Sequence, residues 1–307
     1  MSGAVKQVLA FPGGTVMDGA WVLGLARREP VFWEMLQAGD ALVRQEAGWS
    51  PLLELRAEGG PRLAVSVTFP LVVGVQVAAL AALRAHGVDG DAVFGVCAGE
   101  VSAAHAAGAF GWEDALRIAL HGGRSLEPEA RRHRMLIAWL PESECASLLA
   151  TLPAGAVGIG ARMEPGVTVL AGDADAVAVL ARRLTMAGVR TRALPFPWGV
   201  HVRSLREGRA VLEAALEGRG SLPLTRPMLS GARARWFEEG ASVAATHWWD
   251  MLREEVRFLH SVQALETVGA PLLIEVGPVA EMSHLAPRLG ARAITLETAL
   301  STAGALS

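Results

Sequence analysis

The fold is decided by one stretch of sequence, Val93-Phe94-Gly95-Val96-Cys97-Ala98-Gly99-Glu100. A short apolar strand, 91–94, runs into a glycine turn, and a helix of small residues is predicted over 101–109. The flanking glycines allow a sharp turn between strand and helix, which lifts the Cys97 side chain into the open. At a helix N-terminus, unpaired N–H groups and the helix dipole favour a thiolate. The stretch therefore predicts a nucleophilic thiol, and a small buried cysteine in a tight turn is the alternative.

The same order of elements recurs on both sides of this stretch. Val8–Phe11 reads as a strand and runs into Pro12-Gly13-Gly14. Helices are predicted over 30–46 and 71–86, and a further strand over 272–276. Repeated strand, glycine turn and helix indicate an α/β fold with a mostly parallel, hydrolase-like sheet.

The middle of the chain has a different pattern. Strands are predicted over 135–140, 156–161, 167–171 and 189–194, and helices over 142–152 and 173–187. Asp173 is the expected N-cap of the second helix and Gly188 its C-cap. The order β-α-β-β-α-β is that of a ferredoxin-like subdomain. We therefore expect a small subdomain, 131–196, inserted into a large one formed by 1–130 and 197–307.

Composition excludes several classes of protein. The chain has 307 residues, of which 51% are hydrophobic and 19% charged, so it is expected to fold around a core rather than to be disordered. Its net charge of −3 gives no reason to expect nucleic acid or an anionic membrane as a partner. No signal peptide is recognised, and the apolar stretch 69–83 is interrupted by Pro70, Gly74 and Gln76, so a cytoplasmic protein is expected. Its two cysteines, Cys97 and Cys145, are too few for a zinc site of thiols alone, and no metal is expected.

Five sequence blocks resemble the malonyl-CoA:acyl carrier protein transacylases and the acyltransferase domains of polyketide synthases. The first two are Phe11-Pro12-Gly13 and the stretch around Cys97, which runs on through 103–108. The others are 194–201, ending in His201, then 248–258, and Ile274-Glu275-Val276-Gly277-Pro278. The blocks keep the family order from residue 9 to about 285, and the family also carries an inserted ferredoxin-like subdomain. The resemblance implies an acyltransferase of polyketide or antibiotic biosynthesis.

The resemblance also implies roles for particular residues. Cys97 would carry the acyl group and His201 would be its general base. The backbone N–H groups of Gly14 and Ala98 would form the oxyanion hole. The main-chain carbonyl of Met251 would orient His201. The remaining positions carried over are those of the acyl pocket, namely Gly122, Trp198, Gly199 and Val200.

The family resemblance also implies substrates and partners. No cofactor is expected to be bound, because the substrate is acyl-CoA or an acyl group on the phosphopantetheine of an acyl carrier protein. That carrier protein is the expected partner, and a monomer is the expected state.

Three of the chain's departures from the family concern the nucleophile and the binding of a malonyl carboxylate. Cys97 replaces the usual serine, as in the starter-unit acyltransferase domains of fungal polyketide synthases, and Val96 replaces a histidine. The arginine that binds the carboxylate of malonyl groups aligns with Gly122, and Arg124 would point to another face of its helix. Glycine would leave an opening for a neutral chain, so monocarboxylic rather than malonyl groups are expected.

Two other functions remain open at the level of sequence. A thioester hydrolase on the same scaffold would differ only in admitting water to the acyl-enzyme. A non-catalytic carrier-binding homologue would have no need for both Cys97 and His201. A glutamine amidotransferase would need a late His-x-Glu pair, which His284 does not form. His284 and four other histidines match no catalytic position and are expected to be ordinary surface or core residues: His105, His133, His247 and His260.

Overall fold

The computed structural model describes residues 5–14, 16–218 and 220–303. Ten strands occur within these ranges: β1 (Gln7–Phe11), β2 (Ala92–Gly95), β3 (His133–Ala138), β4 (Val157–Glu164), β5 (Val167–Asp173), β6 (Thr191–Ala193), β7 (Met228–Ser230), β8 (Arg235–Phe237), β9 (Leu272–Glu275) and β10 (Arg292–Ile294).

The helices of the described residues follow in chain order. They are α1 (Gly19–Arg28), α2 (Pro30–Ala47), α3 (Pro51–Leu55), α4 (Val65–Ala85), α5 (Gly99–Ala106), α6 (Trp112–Ala130), α7 (Glu142–Leu149), α8 (Ala174–Met186), α9 (Arg209–Ala215), α10 (His247–Arg253), α11 (Phe258–Glu266), α12 (Met282–Leu285) and α13 (Leu296–Ser301). A 3₁₀ turn, Ala286–Leu289, follows α12.

The larger sheet has the strand order β10-β9-β1-β2-β7-β8. Its first five strands are parallel, and β8 pairs antiparallel with β7 at one edge. The carboxyl ends of β1, β2 and β9 therefore lie side by side, and each leads into a glycine-containing segment. The α/β class predicted from the sequence is confirmed.

The smaller sheet has the order β4-β5-β3-β6, and every neighbouring pair is antiparallel. It has its own apolar core, to which Leu136, Leu170 and Leu180 contribute. This is the ferredoxin-like arrangement predicted for the middle of the chain. Asp173 occupies the N-cap position of α8, but its side chain makes no cap hydrogen bond and instead lies 3.4 Å from Nε2 of His133.

Backbone hydrogen bonds next to the predicted site join the small sheet to the segment that follows α10. The N–H of Arg162 donates to the carbonyl of Val256, and the N–H of Val256 donates to the carbonyl of Gly160, both at 2.8 Å. Arg162 also forms ion pairs with Glu142 and Glu255. These contacts fix the edge of the small sheet against the segment that follows α10.

The apolar stretch 69–83 lies within a single helix, α4, which continues through Pro70. The interruption that the sequence suggested there is absent. By length and composition alone α4 could span a membrane, but most of it is buried inside the protein. It packs against α2, α5 and α6 and forms the centre of the large subdomain. Its one buried amide, Gln76, is used at the site described next.

Candidate active site

The turn between β2 and α5 has the geometry of a nucleophile elbow. Cys97 has φ 51°, a left-handed conformation that non-glycine residues seldom adopt and that is common at functional turns. A Cβ on Gly95 would overlap the backbone of Glu100, and one on Gly99 would overlap the carbonyl of Phe11. Both glycines are therefore required by close backbone approach, and the turn presents the thiol at the carboxyl end of the sheet.

His201 lies opposite this thiol, in the loop that follows β6. Its own backbone is left-handed, with φ 58°, and its N–H donates to the carbonyl of Leu252 at 2.8 Å. Its Nδ1 lies 2.8 Å from the carbonyl oxygen of Glu254. A carbonyl can only accept, so Nδ1 carries the proton and Nε2 is the nitrogen left for Cys97.

The orienting carbonyl was predicted at Met251, and that assignment is wrong. Met251 is buried within α10, whose carbonyls point along the helix axis. Glu254 is the first residue after the helix, with ψ 157°, so its carbonyl can turn towards the imidazole. The displacement of three residues follows from where the helix ends.

Cys97 and His201 form a coupled pair. Burial raises the pKa of the Cys97 thiol, but the charge and hydrogen bond of His201, with N–H groups of Ala98 and Gly14, outweigh it and lower that pKa overall. Burial lowers the pKa of His201, whereas the charge and hydrogen bond of Cys97, then the Glu254 carbonyl and the charge of Glu100, raise it overall. The arrangement favours a thiolate beside an imidazolium.

Gln76 of α4 hydrogen-bonds to the loop that carries Gly14. The Gln76 amide donates from Nε2 to the carbonyl of Pro12 at 2.7 Å, and its Oε1 accepts from Ser102 Oγ at 2.6 Å. The sequence showed Gln76 only as an interruption of an apolar stretch. A polar residue on an otherwise apolar buried face was the available signal.

A second buried contact anchors the first turn of α5. Glu100 Oε1 accepts from the N–H of Ala232, and Oε2 lies 2.8 Å from Nε2 of His247. Both side chains are at most 1% exposed, so the charge of Glu100 is satisfied inside the core. His247 is thus the buried structural partner of a motif residue, in line with the role expected for it.

A pocket of about 690 Å³ opens above the candidate pair, between the two sheets. Trp198 and Val200 are among the residues that line it. Trp198 stacks on Phe196 with ring centroids 4.5 Å apart, and its Nε1 donates to the carbonyl of Leu63 at 2.8 Å. The wall nearest these residues is therefore apolar and held in place.

Two predicted pocket residues do not line this pocket. A Cβ on Gly199 would lie 2.8 Å from the backbone nitrogen of Arg134, so Gly199 packs against β3. A Cβ on Gly122 would lie 2.8 Å from Cε1 of Phe69, so the aromatic ring already fills the predicted opening. Arg124 is directed outwards, 3.3 Å from the carbonyl of Ala47.

Metal ligation has no evident place in this arrangement. Within residues 5–14, 16–218 and 220–303, no three side chains of His, Cys, Asp or Glu are grouped as a metal ion would need. The chemistry available at the site is nucleophilic attack, proton transfer and stabilisation of an oxyanion.

Comparison with known proteins identifies the family. A family model described as an acyl transferase domain matches residues 20–293, most of the chain. The chain belongs to this family. Acyltransferase domains of polyketide synthases take acyl-CoA or carrier-bound acyl groups as substrates and need no bound cofactor.

Relatives of this acyltransferase domain include bacterial polyketide synthases. It is 33% identical over 282 residues to polyketide synthase GfsA of Streptomyces halstedii and 29% identical over 294 residues to erythronolide synthase EryA3 of Saccharopolyspora erythraea. The matches cover 90% and 94% of this chain but 4% and 9% of those proteins, so the chain corresponds to one domain of each.

Solved structures support the same fold. The acyltransferase domain from module 8 of the salinomycin polyketide synthase superposes with a TM-score of 0.85 at 26% identity, covering 95% of this chain and 71% of that one. The malonyl CoA-acyl carrier protein transacylase of Coxiella burnetii gives a TM-score of 0.85 at 18% identity, covering 99% and 98%. The second likeness concerns the fold alone.

Proposed function

We propose that this acyltransferase domain moves a monocarboxylic, non-malonyl acyl group from a coenzyme A or carrier-protein thioester onto Cys97 and then onto an acyl carrier protein. The proposal rests on one observation, a Cys97 thiol that faces both His201 and the N–H groups of Gly14 and Ala98. Nucleophile, base and oxyanion donors are the parts that acyl transfer requires.

In the first half-reaction, the Cys97 thiolate attacks the carbonyl carbon of the donor thioester. The carbonyl oxygen becomes an oxyanion, which accepts hydrogen bonds from the backbone N–H groups of Gly14 and Ala98. The intermediate then breaks the bond to the donor sulfur, and Nε2 of His201 gives its proton to the departing thiolate. The products are an acyl-Cys97 thioester and a free donor thiol.

The second half-reaction reverses these roles. Neutral His201 takes the proton of the incoming phosphopantetheine thiol at Nε2, and the resulting thiolate attacks the acyl-Cys97 carbonyl. Collapse releases the Cys97 thiolate beside the newly charged imidazolium, which restores the starting pair. The Glu254 carbonyl holds Nδ1–H throughout, so the same nitrogen serves both steps.

Charge supports a non-malonyl acyl group. The position of the carboxylate-binding arginine is Gly122, and Phe69 occupies the space beside it. The arginines that line the pocket, Arg190, Arg192 and Arg288, are all exposed at its mouth. A distal carboxylate placed deep in the pocket would therefore lack a cation, at a cost of several kcal/mol. The exposed arginines instead suit the phosphate of an incoming coenzyme A or phosphopantetheine arm.

Intact mass spectrometry tests the proposal. The protein is incubated with equal amounts of malonyl and neutral acyl thioesters, and the expected product carries the neutral group on Cys97. The Cys97→Ala variant should gain no mass. Dominant loading of malonyl would contradict the proposed selectivity.

The acceptor is tested with the loaded protein. The acyl group should persist in buffer and leave when a carrier protein with a free phosphopantetheine thiol is added. Release of free acid at the same rate with and without the carrier would identify a hydrolase instead.

A further inference from the structure

One carboxylate in the pocket has no role in the chemistry above. Glu281 lies between β9 and α12 and lines the same pocket as Cys97 and His201. Its backbone N–H donates to Oε1 of Glu275 at 2.9 Å. Across the described parts of the chain, no side chain or N–H group donates a hydrogen bond to the Glu281 carboxylate or pairs with it.

A structural role for this carboxylate is already filled by its neighbour. Glu275, 1% exposed, accepts the N–H groups of Glu281, Met282 and Ser283 and so caps the start of α12. The Glu281 side chain takes no part in this capping and lines the cavity. Removing it would leave every one of these hydrogen bonds in place.

The charges around Glu281 make it a site of unbalanced negative charge. Burial, and then the charge of Glu275, raise the pKa of Glu281 to about 7. The other ionisable groups of the pocket are engaged or outlying. Arg288 lies 3.2 Å from Glu164, Arg190 stacks on Trp139, His201 faces Cys97, and His284 and Arg192 are exposed.

An unpaired carboxylate in a substrate pocket favours a substrate group that donates a hydrogen bond to it and carries a positive charge. A hydroxyl group on the acyl chain could donate one hydrogen bond, but it would leave the negative charge of Glu281 uncompensated. An ammonium group would donate and neutralise at once, and charge-assisted hydrogen bonds are the stronger kind. A second carboxylate on the substrate would be repelled.

We propose that the Glu281 carboxylate binds an ammonium group on the acyl chain, so that this domain selects amino-acyl thioesters for loading onto Cys97. The inference rests on the proposed function, because it concerns which acyl group reaches the same thiol.

The test compares substrates of equal shape. Thioesters of 3-aminopropionate and butyrate differ by an ammonium group in place of a methyl group, and 6-aminohexanoate and heptanoate form a longer pair; none of these amines closes readily to a lactam. Loading rates on Cys97 are measured by intact mass for the wild type, Glu281→Gln and a control, Glu239→Gln, which changes an exposed surface carboxylate. The wild type and the control should load at least one amine at least about tenfold faster than its alkyl counterpart. Glu281→Gln should lose most of that preference.

The pH dependence gives a second readout. Pairing needs an ionised Glu281 and a protonated amine, so the wild-type preference should grow as the pH rises through about 7. The alkyl thioesters provide the baseline at each pH, which separates this effect from titration of Cys97 and His201. A preference independent of pH, or equal in Glu281→Gln, would overturn the role of Glu281.

The remaining outcomes separate the two proposals. If alkyl thioesters load but amines of either length load no faster, amine selection is refuted and the acyltransferase proposal stands. If 3-hydroxypropionate loads faster than 3-aminopropionate, the site selects a neutral donor and the proposed ammonium selectivity is refuted. If no thioester loads onto Cys97, the proposed function fails and this inference fails with it.

Discussion

Replacing His201 with alanine should uncouple the thiol from its base. The variant loses the charge and hydrogen bond that lower the pKa of Cys97, while the burial that raises it remains. The N–H groups of Ala98 and Gly14 still lower it, so the pKa should rise towards the ordinary value of 9.0, at which about 1% of the thiol is ionised at pH 7. If the wild-type thiol is mostly ionised, this effect alone lowers acylation about 100-fold. With the proton transfer also lost, we expect a decrease of about 10²–10⁴-fold.

The assay follows two reactions of the same sulfur over pH 6 to about 10. Acylation is measured by intact mass, and alkylation by iodoacetamide reports the thiolate without needing a proton donor. Wild-type rates should level off at a lower pH than those of His201→Ala, in which both rates should rise about tenfold per pH unit until the thiol ionises. His260→Ala, which removes an exposed histidine, is the matched control. Cys97→Ala corrects for modification of Cys145.

The two reactions also show where the reasoning could fail. Unchanged acylation of His201→Ala at neutral pH would refute the assignment of His201 as base. A wild-type alkylation profile in the variant, with slow acylation, would show that His201 moves protons but does not ionise the thiol.

Four further changes test other parts of the site. Cys97→Ser should retain slow acyl transfer in the mass assay, because the same base and N–H donors serve a hydroxyl, whereas complete inactivity would show that the site requires a thiol. Gln76→Leu should lower kcat more than it raises KM, because the loop that carries Gly14 loses its hydrogen bond to the Gln76 amide. It should also lower the free energy of unfolding in urea by about 1–3 kcal/mol, because Ser102 Oγ loses its buried hydrogen-bond acceptor. Gly122→Arg should create no malonyl activity and should lower Tm, since its side chain would displace the Phe69 ring; a stable variant that loads malonyl would contradict this packing. Glu281→Gln should raise the free energy of unfolding at high pH only. The pKa of Glu281 is about 7 in the folded protein against an ordinary 4.5, so its ionisation destabilises the folded state increasingly between these two pH values. The gain by thermal unfolding at pH 8 should be at most about 3 kcal/mol and should vanish near pH 4.

The sequence was sufficient for features whose causes are local. Gly95 and Gly99 are needed because neighbouring backbone segments leave no room for a Cβ atom. That requirement is visible in the sequence as the two glycines that flank Cys97. The switch from repeated strand and helix to the β-α-β-β-α-β order likewise predicts the antiparallel sheet of the small subdomain.

Features set by distant partners could not be predicted in the same way. The Gly122 position looked open because a sequence does not reveal that Phe69 on another helix fills it. The carbonyl that orients His201 was misplaced by three residues because its direction depends on where α10 ends. The Glu281 carboxylate is unpaired because Glu275 already accepts the nearby backbone N–H groups. That competition between two carboxylates is a property of the folded structure.

A thiol at residue 97 also bears on the energetics of the proposed transfer. An acyl group on cysteine is a thioester, the same functional group as in coenzyme A and carrier-protein substrates, so each half-reaction exchanges one such bond for another of nearly equal free energy. Both equilibrium constants would then lie near one, and the acyl group would spread among all accessible pantetheine thiols according to their abundance. Net direction would come from whichever later reaction removes the loaded carrier.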